Sequence, residues 1–238
     1  MTSRWQLSTV VGAVEQTATA RSLRLALSEP VYAQPGSHID IRLTAEDGYS
    51  TARTYSISDA RESTTLEVTI ERADDGEVSP YLVDVIEIGE PLEISGPHGR
   101  WFTWDHRDER PVQLIAGGSG IVPLMSMIRD REIAAPQTAF NLVYSVRSAQ
   151  RCCFADELAQ LAHHHRLPIS IVHTRSAPPG SPRPAGRITQ SELAAAVIPA
   201  ELAPLVYICG PNSFVEPCAR WMQDAGHSAH DIRTERFG

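Results

Sequence analysis

Long apolar runs are missing from this sequence of 238 residues. No stretch approaches the ~20 consecutive apolar residues that a membrane-spanning helix needs. The opening Met1-Thr2-Ser3-Arg4-Trp5-Gln6 lacks the apolar core of a signal peptide, so a cytoplasmic protein without membrane attachment is expected. Cysteine is scarce as well. Cys152, Cys153, Cys209 and Cys218 form neither a CxxC pair nor a closely spaced quartet, which excludes a zinc ribbon and an iron-sulfur cluster and leaves no metal site. Basic charge is in deficit: 21 Lys and Arg stand against 29 Asp and Glu, a net charge of -8, which argues against a nucleic-acid partner. The remainder is an ordinary globular composition, 42% hydrophobic and 21% charged, in a chain long enough for one large domain or two modest ones.

Periodicity separates two halves. Up to about residue 105 apolar positions alternate, as in Leu23, Leu25 and Leu27, Ile39, Ile41 and Leu43, and Leu66, Val68 and Ile70. This is the period of half-buried strands, and turn signals such as Gln34-Pro35-Gly36 between them predict a small antiparallel barrel or sandwich. Beyond the charged stretch Asp105 to Pro111, compact apolar strands at 112–116, 140–144, 169–172 and 205–209 alternate with helical patterns. One carries Ile121, Leu124, Met125 and Ile128, another Phe154, Leu158 and Leu161, and a third Phe214, Cys218, Trp221 and Met222, closed by Gly226. Strand-helix alternation predicts a doubly wound parallel sheet. The run His163-His164-His165 reads as a solvated helix face rather than a metal site, because consecutive helical residues point in different directions.

Three segments carry chemistry. In Leu114 to Pro123 a buried strand runs into Gly117, Gly118, Ser119 and Gly120, and a helix then starts with its positive dipole end at the same place; a pyrophosphate fits there, or the turn serves the fold alone. In Asp74 to Leu82, Ser79 followed by Pro80 reads as an N-cap and first helical residue, exposing N–H groups to an anion or to water. Within Arg53-Thr54-Tyr55-Ser56, alternation places Arg53 and Tyr55 on one strand face and Thr54 and Ser56 on the other; an Arg binds phosphate bidentately and a Tyr covers an aromatic ring.

Taken together, RxYS at 53–56, GxxS at 76–79, the GGSG turn and Cys209-Gly210-Pro211 occur in the order and spacing of one family. The chain resembles the ferredoxin-NADP reductase superfamily, in particular the flavin and nicotinamide modules of bacterial oxygenase reductases, down to its ending Ile232 to Gly238. The resemblance implies a six-stranded antiparallel β-barrel holding FAD over 1–105 and a doubly wound α/β nicotinamide domain over 110–238. It also implies residue roles. Arg53 pairs with the FAD phosphates, Thr54 lies beside it, Tyr55 stacks on the isoalloxazine, and Ser56 bonds near flavin N5 as the leading catalytic side chain. Ile70 and Arg72 border the adenosine half, and Gly76, Val78 and Ser79 cradle the pyrophosphate. Gly117 to Gly120 take the pyrophosphate of the nicotinamide dinucleotide, and Cys209, Gly210 and Pro211 lie beside its nicotinamide. Cys209 either tunes hydride transfer or fills space, and Phe237, with Glu235 nearby, either covers the flavin or belongs to a frayed terminus.

The donor is NADPH or NADH. Arg147, Ser148 and Arg175 can surround an adenosine 2'-phosphate and tilt the expectation slightly toward NADPH. Related reductases carry a fused ferredoxin whose four cysteine ligands are missing here, so the expected acceptor is a separate ferredoxin or oxygenase, served by a monomer. The alternatives are a reductase of free flavin or of a small organic acceptor, and a non-catalytic flavin-binding partner subunit.

Overall fold

The structure is a computed structural model that describes residues 4–164 and 167–237. Met1 to Ser3 of the opening, His165 of the histidine run and Gly238 of the ending lie outside the described residues. Two compact units divide the chain: Met1–Asp105 with Met125–Asp130, and His106–Leu124 with Arg131–Gly238.

The first unit is built on a closed barrel of β1 (Trp5–Thr17), β2 (Ala20–Leu27), β3 (His38–Thr44), β4 (Ser50–Asp59), β5 (Thr65–Glu71) and β6 (Pro91–His98), in the order β1-β2-β5-β4-β3-β6. All its pairings are antiparallel. The alternation seen in the sequence is the cause. Leu23, Leu25, Ile39, Ile41, Leu66, Val68 and Ile70 turn inward and form one fully buried cluster with Ile57, Val78 and Ile94, while the polar residues between them face outward. Closure removes the free sheet edges that six short strands would otherwise expose.

In the second unit β7 (Val112–Gly117), β8 (Phe140–Val146), β9 (Ile169–His173), β10 (Leu205–Pro211) and β11 (Ile232–Phe237) form a parallel sheet in the order β11-β10-β7-β8-β9. Helices α1 (Ile121–Ala134), α2 (Ala155–His163), α3 (Gln190–Ala196) and α4 (Asn212–Asp224) connect the strands. The chain winds outward from β7 through β8 to β9, then returns to the other side of β7 for β10 and β11. That reversal puts the topological switch point between β7 and β10, where sheets of this kind bind ligands at their strand carboxyl ends. Gly226 ends α4 as the pattern predicts: it adopts φ +93°, and the N–H groups of Gly226 and His227 donate to Gln223 O and Met222 O, a Schellman closure.

One local expectation changes, and one alternative falls away. Ser79 does not cap a helix. Its Oγ accepts from Ala73 N–H at 3.0 Å, bracing the preceding turn, and the next element is only a π-helical turn, Tyr81–Val85. The terminal Ile232–Phe237 is a strand rather than a frayed end, paired with β10 along its whole length. Among the described residues no helix is long and apolar enough to cross a membrane, and no group of three or more His, Cys, Asp or Glu is placed to hold a metal ion.

Candidate functional site

In the barrel, β4 is paired unequally on its two sides. It pairs with β3 from Ser50 to Ser56, yet among the described residues its register with β5 consists of Ile57↔Val68 and Asp59↔Glu67. The wall therefore parts alongside Arg53-Thr54-Tyr55-Ser56, opposite the end of β5. Arg53 is exposed, and among the described residues its guanidinium bonds only Thr51 Oγ1 and Ala52 O. Tyr55 is half-buried against the barrel core, and burial pushes its phenol up to about 12 although Arg53 pulls it down. Thr54 points the other way and donates to Asp40 Oδ1 at 2.6 Å; Ser56 is half-buried.

The turn after β5 stands at the same end of the barrel, because Tyr49, just ahead of β4, donates its hydroxyl to Glu77 at 3.2 Å. Ile70 and Val78 are fully buried, so they can offer a ligand only main chain. Arg72 reaches Asp74 and Asp84 at 3.2 Å each, with a buried Nε that has no partner among the described residues. Gly76 is packed so closely on Ser79 Oγ and Ala73 that a Cβ would lie 3.1 to 3.3 Å from them.

In the second unit the Gly-rich turn lies at the switch point. Gly118–Gly120 form a 3-10 turn that leads directly into α1, so the first N–H groups of that helix point out of the sheet's carboxyl edge. Gly120 is seated on β10: a Cβ there would stand 2.1 Å from Cys209 O. Gly210 has φ +153°, and a Cβ on it would be 2.9 Å from Gly117 O. These two glycines shape a backbone cradle that any side chain would fill. Pairing of β10 with β11 sets Cys209 opposite Glu235 and Pro211 opposite Phe237. At the end of β8, Arg147 O accepts from Arg175 N–H and Ser176 N–H at 2.9 and 3.1 Å, bringing the chain at Arg147 and Arg175 together. Both side chains are exposed, and neither has a hydrogen bond or ion pair among the described residues. The sequence contains no lysine, so all 21 of its cationic side chains are arginines, the residue suited to forked phosphate recognition.

Comparison with known proteins agrees with both halves. Residues 9–103 match the oxidoreductase FAD-binding domain, and residues 114–220 the oxidoreductase NAD-binding domain. The chain belongs to the ferredoxin-NADP reductase superfamily. It joins an FAD-binding to an NAD-binding oxidoreductase domain. The chain is 29% identical over 216 residues to flavohemoprotein A of Dictyostelium discoideum, covering 86% of this chain and 52% of that one. It is 30% identical over 240 residues to the ferredoxin reductase component of 3-ketosteroid-9-alpha-monooxygenase from Rhodococcus rhodochrous, covering 99% of this chain and 66% of that one. The flavohem-like FAD/NAD binding domain of nitric oxide dioxygenase from Vibrio cholerae O1 biovar El Tor superposes with TM-score 0.87 at 25% identity, covering 98% of both chains. The chain thus spans about half the length of its flavohemoprotein relatives.

Several neighbours of the motif residues were invisible to motif reading. β3 pairs His38 with Ser56 on one side and His98 on the other; the two imidazoles are 5.9 Å apart, and His98 Nε2 is 3.5 Å from Asp40 Oδ2. Burial lowers the His38 pKa, His98 lowers it further, and Asp40 partly opposes both, so this imidazole is neutral at neutral pH. The signal was present, since alternation along Ser37-His38-Ile39-Asp40-Ile41 sends His38 and Asp40 to the polar face, but only strand pairing reveals Ser56 beside it.

Cys209 is fully buried, and burial, with Glu235 adding to it, holds its thiol far above the ordinary range. Burial also raises Cys152 to about 11 and Cys218 to about 12. The thiolate is the reactive form. Native protein is therefore expected to resist iodoacetamide at pH 7.5 at all three positions while urea-unfolded protein is alkylated within minutes; mass spectrometry of digests checks this, and rapid native labelling of Cys209 contradicts it.

Proposed function

We propose that this reductase takes reducing equivalents from NAD(P)H through bound FAD and delivers them to a separate ferredoxin or oxygenase protein. The observation that carries the reading is that each unit has a built site of its own: the parted wall of β4 with its RxYS motif in the first, and the glycine cradle at the switch point of the sheet in the second. The ferredoxin reductase and monooxygenase reductase components among its relatives support the choice of acceptor, and the flavohemoproteins favour a haem protein as the second possibility. The same reading has the reductase working as a monomer in the cytoplasm.

Residues 1–105 hold FAD in this scheme and residues 110–238 the dinucleotide. Arg53 clamps the FAD phosphates, Tyr55 covers the flavin ring with Thr54 alongside, and the Ser56 hydroxyl bonds near N5, with His38 next to it. Main chain at Ile70, Gly76, Val78 and Ser79, together with Arg72, receives the adenosine diphosphate half. Backbone N–H groups of Gly117, Gly118, Ser119 and Gly120 take the dinucleotide pyrophosphate, while Cys209, Gly210 and Pro211, with Glu235 and Phe237 on the next strand, border the nicotinamide. When bound, FAD supplies the two-electron to one-electron chemistry, accepting hydride at N5 and releasing electrons to the acceptor. The protein orients both cofactors and keeps water out.

Arg147, Ser148 and Arg175 set the donor. An unpartnered arginine pair beside a ribose is placed for a 2'-phosphate, so NADPH is favoured. Arg147→Ala with Arg175→Ala is expected to raise KM for NADPH about tenfold or more and to leave KM for NADH within about threefold, from the loss of one or two charge-assisted hydrogen bonds. Equal changes for the two donors would reverse the assignment. The function itself is tested by an anaerobic visible spectrum titrated with each donor, followed by candidate acceptors. Flavin bands that bleach and then recover on adding a ferredoxin or oxygenase bear the reading out; colourless protein, or recovery only with free flavin, defeats it.

A further inference from the structure

Phe214 is the third residue of α4, and its spacing with Cys218, Trp221 and Met222 marks it for the core. The structure leaves it half-buried, whereas Val215, Cys218 and Met222 on the same helix are at most 1% exposed. Side chains in a helix lean back toward its N-terminus, and in the first turn of α4 that direction carries the ring onto the ends of two strands. A Cβ built on Gly117 would stand 2.5 Å from Phe214 Cδ1 and 2.8 Å from Cγ, and one on Gly210 would stand 3.1 Å from the same Cδ1. The ring lies against the last residue of β7 and touches the glycine near the end of β10.

This contact accounts for the first glycine of the GGSG turn. Gly117 has φ -117° and ψ 114°, an extended conformation open to any residue, so glycine is required there for space, and the occupant of that space is Phe214. Gly118 is the converse case: at φ +57° it has nothing within 4 Å of a Cβ, so its glycine serves the turn.

We propose that Phe214 is a positioning residue for the nicotinamide dinucleotide: its ring, seated on both strand ends, holds the Gly117–Gly120 turn and the Cys209–Pro211 segment in the arrangement that receives the ligand. Fixing these segments before binding lowers the ordering cost that the ligand must otherwise meet. The proposal rests on the reading that the dinucleotide docks at these strand ends. A ring that only filled space would change melting temperature and leave affinity alone.

The test is calorimetric titration of the FAD-loaded wild type, F214A and F214L with NADP+ and NAD+, together with flavin content, melting temperature, and KM and kcat for donor oxidation with a dye acceptor. F214A is expected to weaken dinucleotide binding about tenfold and to raise KM by a similar factor, with kcat within about threefold and FAD retained. F214L, which keeps the bulk and loses the flat ring, falls between. Folded variants that bind as tightly as wild type overturn the proposal. A wild type that binds neither dinucleotide overturns the docking reading, and the proposal with it. Should F214A fail to fold, F214L against wild type decides by the same comparison.

Discussion

Gly120→Ala is expected to slow donor-driven bleaching of the flavin by about a hundredfold or more, the penalty for misplacing a binding element by about 1 Å. The new Cβ would lie 2.1 Å from Cys209 O, 2.4 Å from Cys209 C and 2.7 Å from Gly210 N. All three are main-chain atoms, so no side-chain rotation relieves the clash. The end of β10 is held on both flanks by β7 and β11 and cannot step aside without breaking ladder bonds. The start of α1 must retreat instead, taking the N–H groups of the Gly-rich turn with it. Overpacking of this kind also costs about 1 to 3 kcal/mol of stability, visible as a lower melting temperature. Gly118→Ala is the matched control, since it meets only the strain of φ +57° in open space. Stopped-flow bleaching across donor concentrations measures both variants; a Gly120→Ala protein that reacts like wild type would remove the pyrophosphate assignment.

Arg53→Ala should produce a folded protein that sheds its flavin. The guanidinium is exposed and, among the described residues, bonds only its own neighbours Thr51 and Ala52, so its removal costs the barrel little. A charge-assisted bond to phosphate contributes about 1.5 to 3 kcal/mol, which corresponds to FAD binding about ten- to a hundredfold weaker. Arg53→Lys keeps the charge without the fork and should recover only part of the loss. The measurement is FAD remaining per protein after desalting, with the melting temperature of the apoprotein as the check on folding. Full flavin retention in Arg53→Ala would place the phosphates elsewhere.

Much of this architecture was legible in the residues because it rests on short-range patterning. Leu23, Leu25 and Leu27 alternate and become a barrel strand; Val112 to Ala116 is almost continuously apolar and becomes the central strand of a sheet covered on both faces. β11 escaped such a reading because Ile232-Arg233-Thr234-Glu235-Arg236-Phe237 is mostly polar: it is a sheet-edge strand, defined by its partner β10 rather than by its own composition. Ser79 misled for a related reason. Its local signal for a cap was overridden by a backbone N–H at Ala73, six residues earlier. The grouping of His38, Asp40 and His98 around the RxYS strand required the register of three strands, and the room that Phe214 takes from Gly117 required a contact across nearly a hundred positions of chain. Motifs locate the residues that touch a ligand; the residues that hold those in place are set by tertiary contacts without a fixed spacing.

The parted wall of the barrel has a consequence for amide exchange. Because β4 keeps β3 along Ser50–Ser56 while its register with β5 is confined to Ile57 and Asp59, the N–H groups of Arg53 to Ser56 divide by direction: those aimed at β3 sit in a ladder, and those aimed at β5 do not. In deuterated buffer the apoprotein should lose protons at alternate positions of this one strand, a period-two pattern inside an otherwise protected barrel. Occupation of the opening by a ligand would convert that pattern into uniform protection, turning four consecutive amides into a local gauge of whether the first unit is filled.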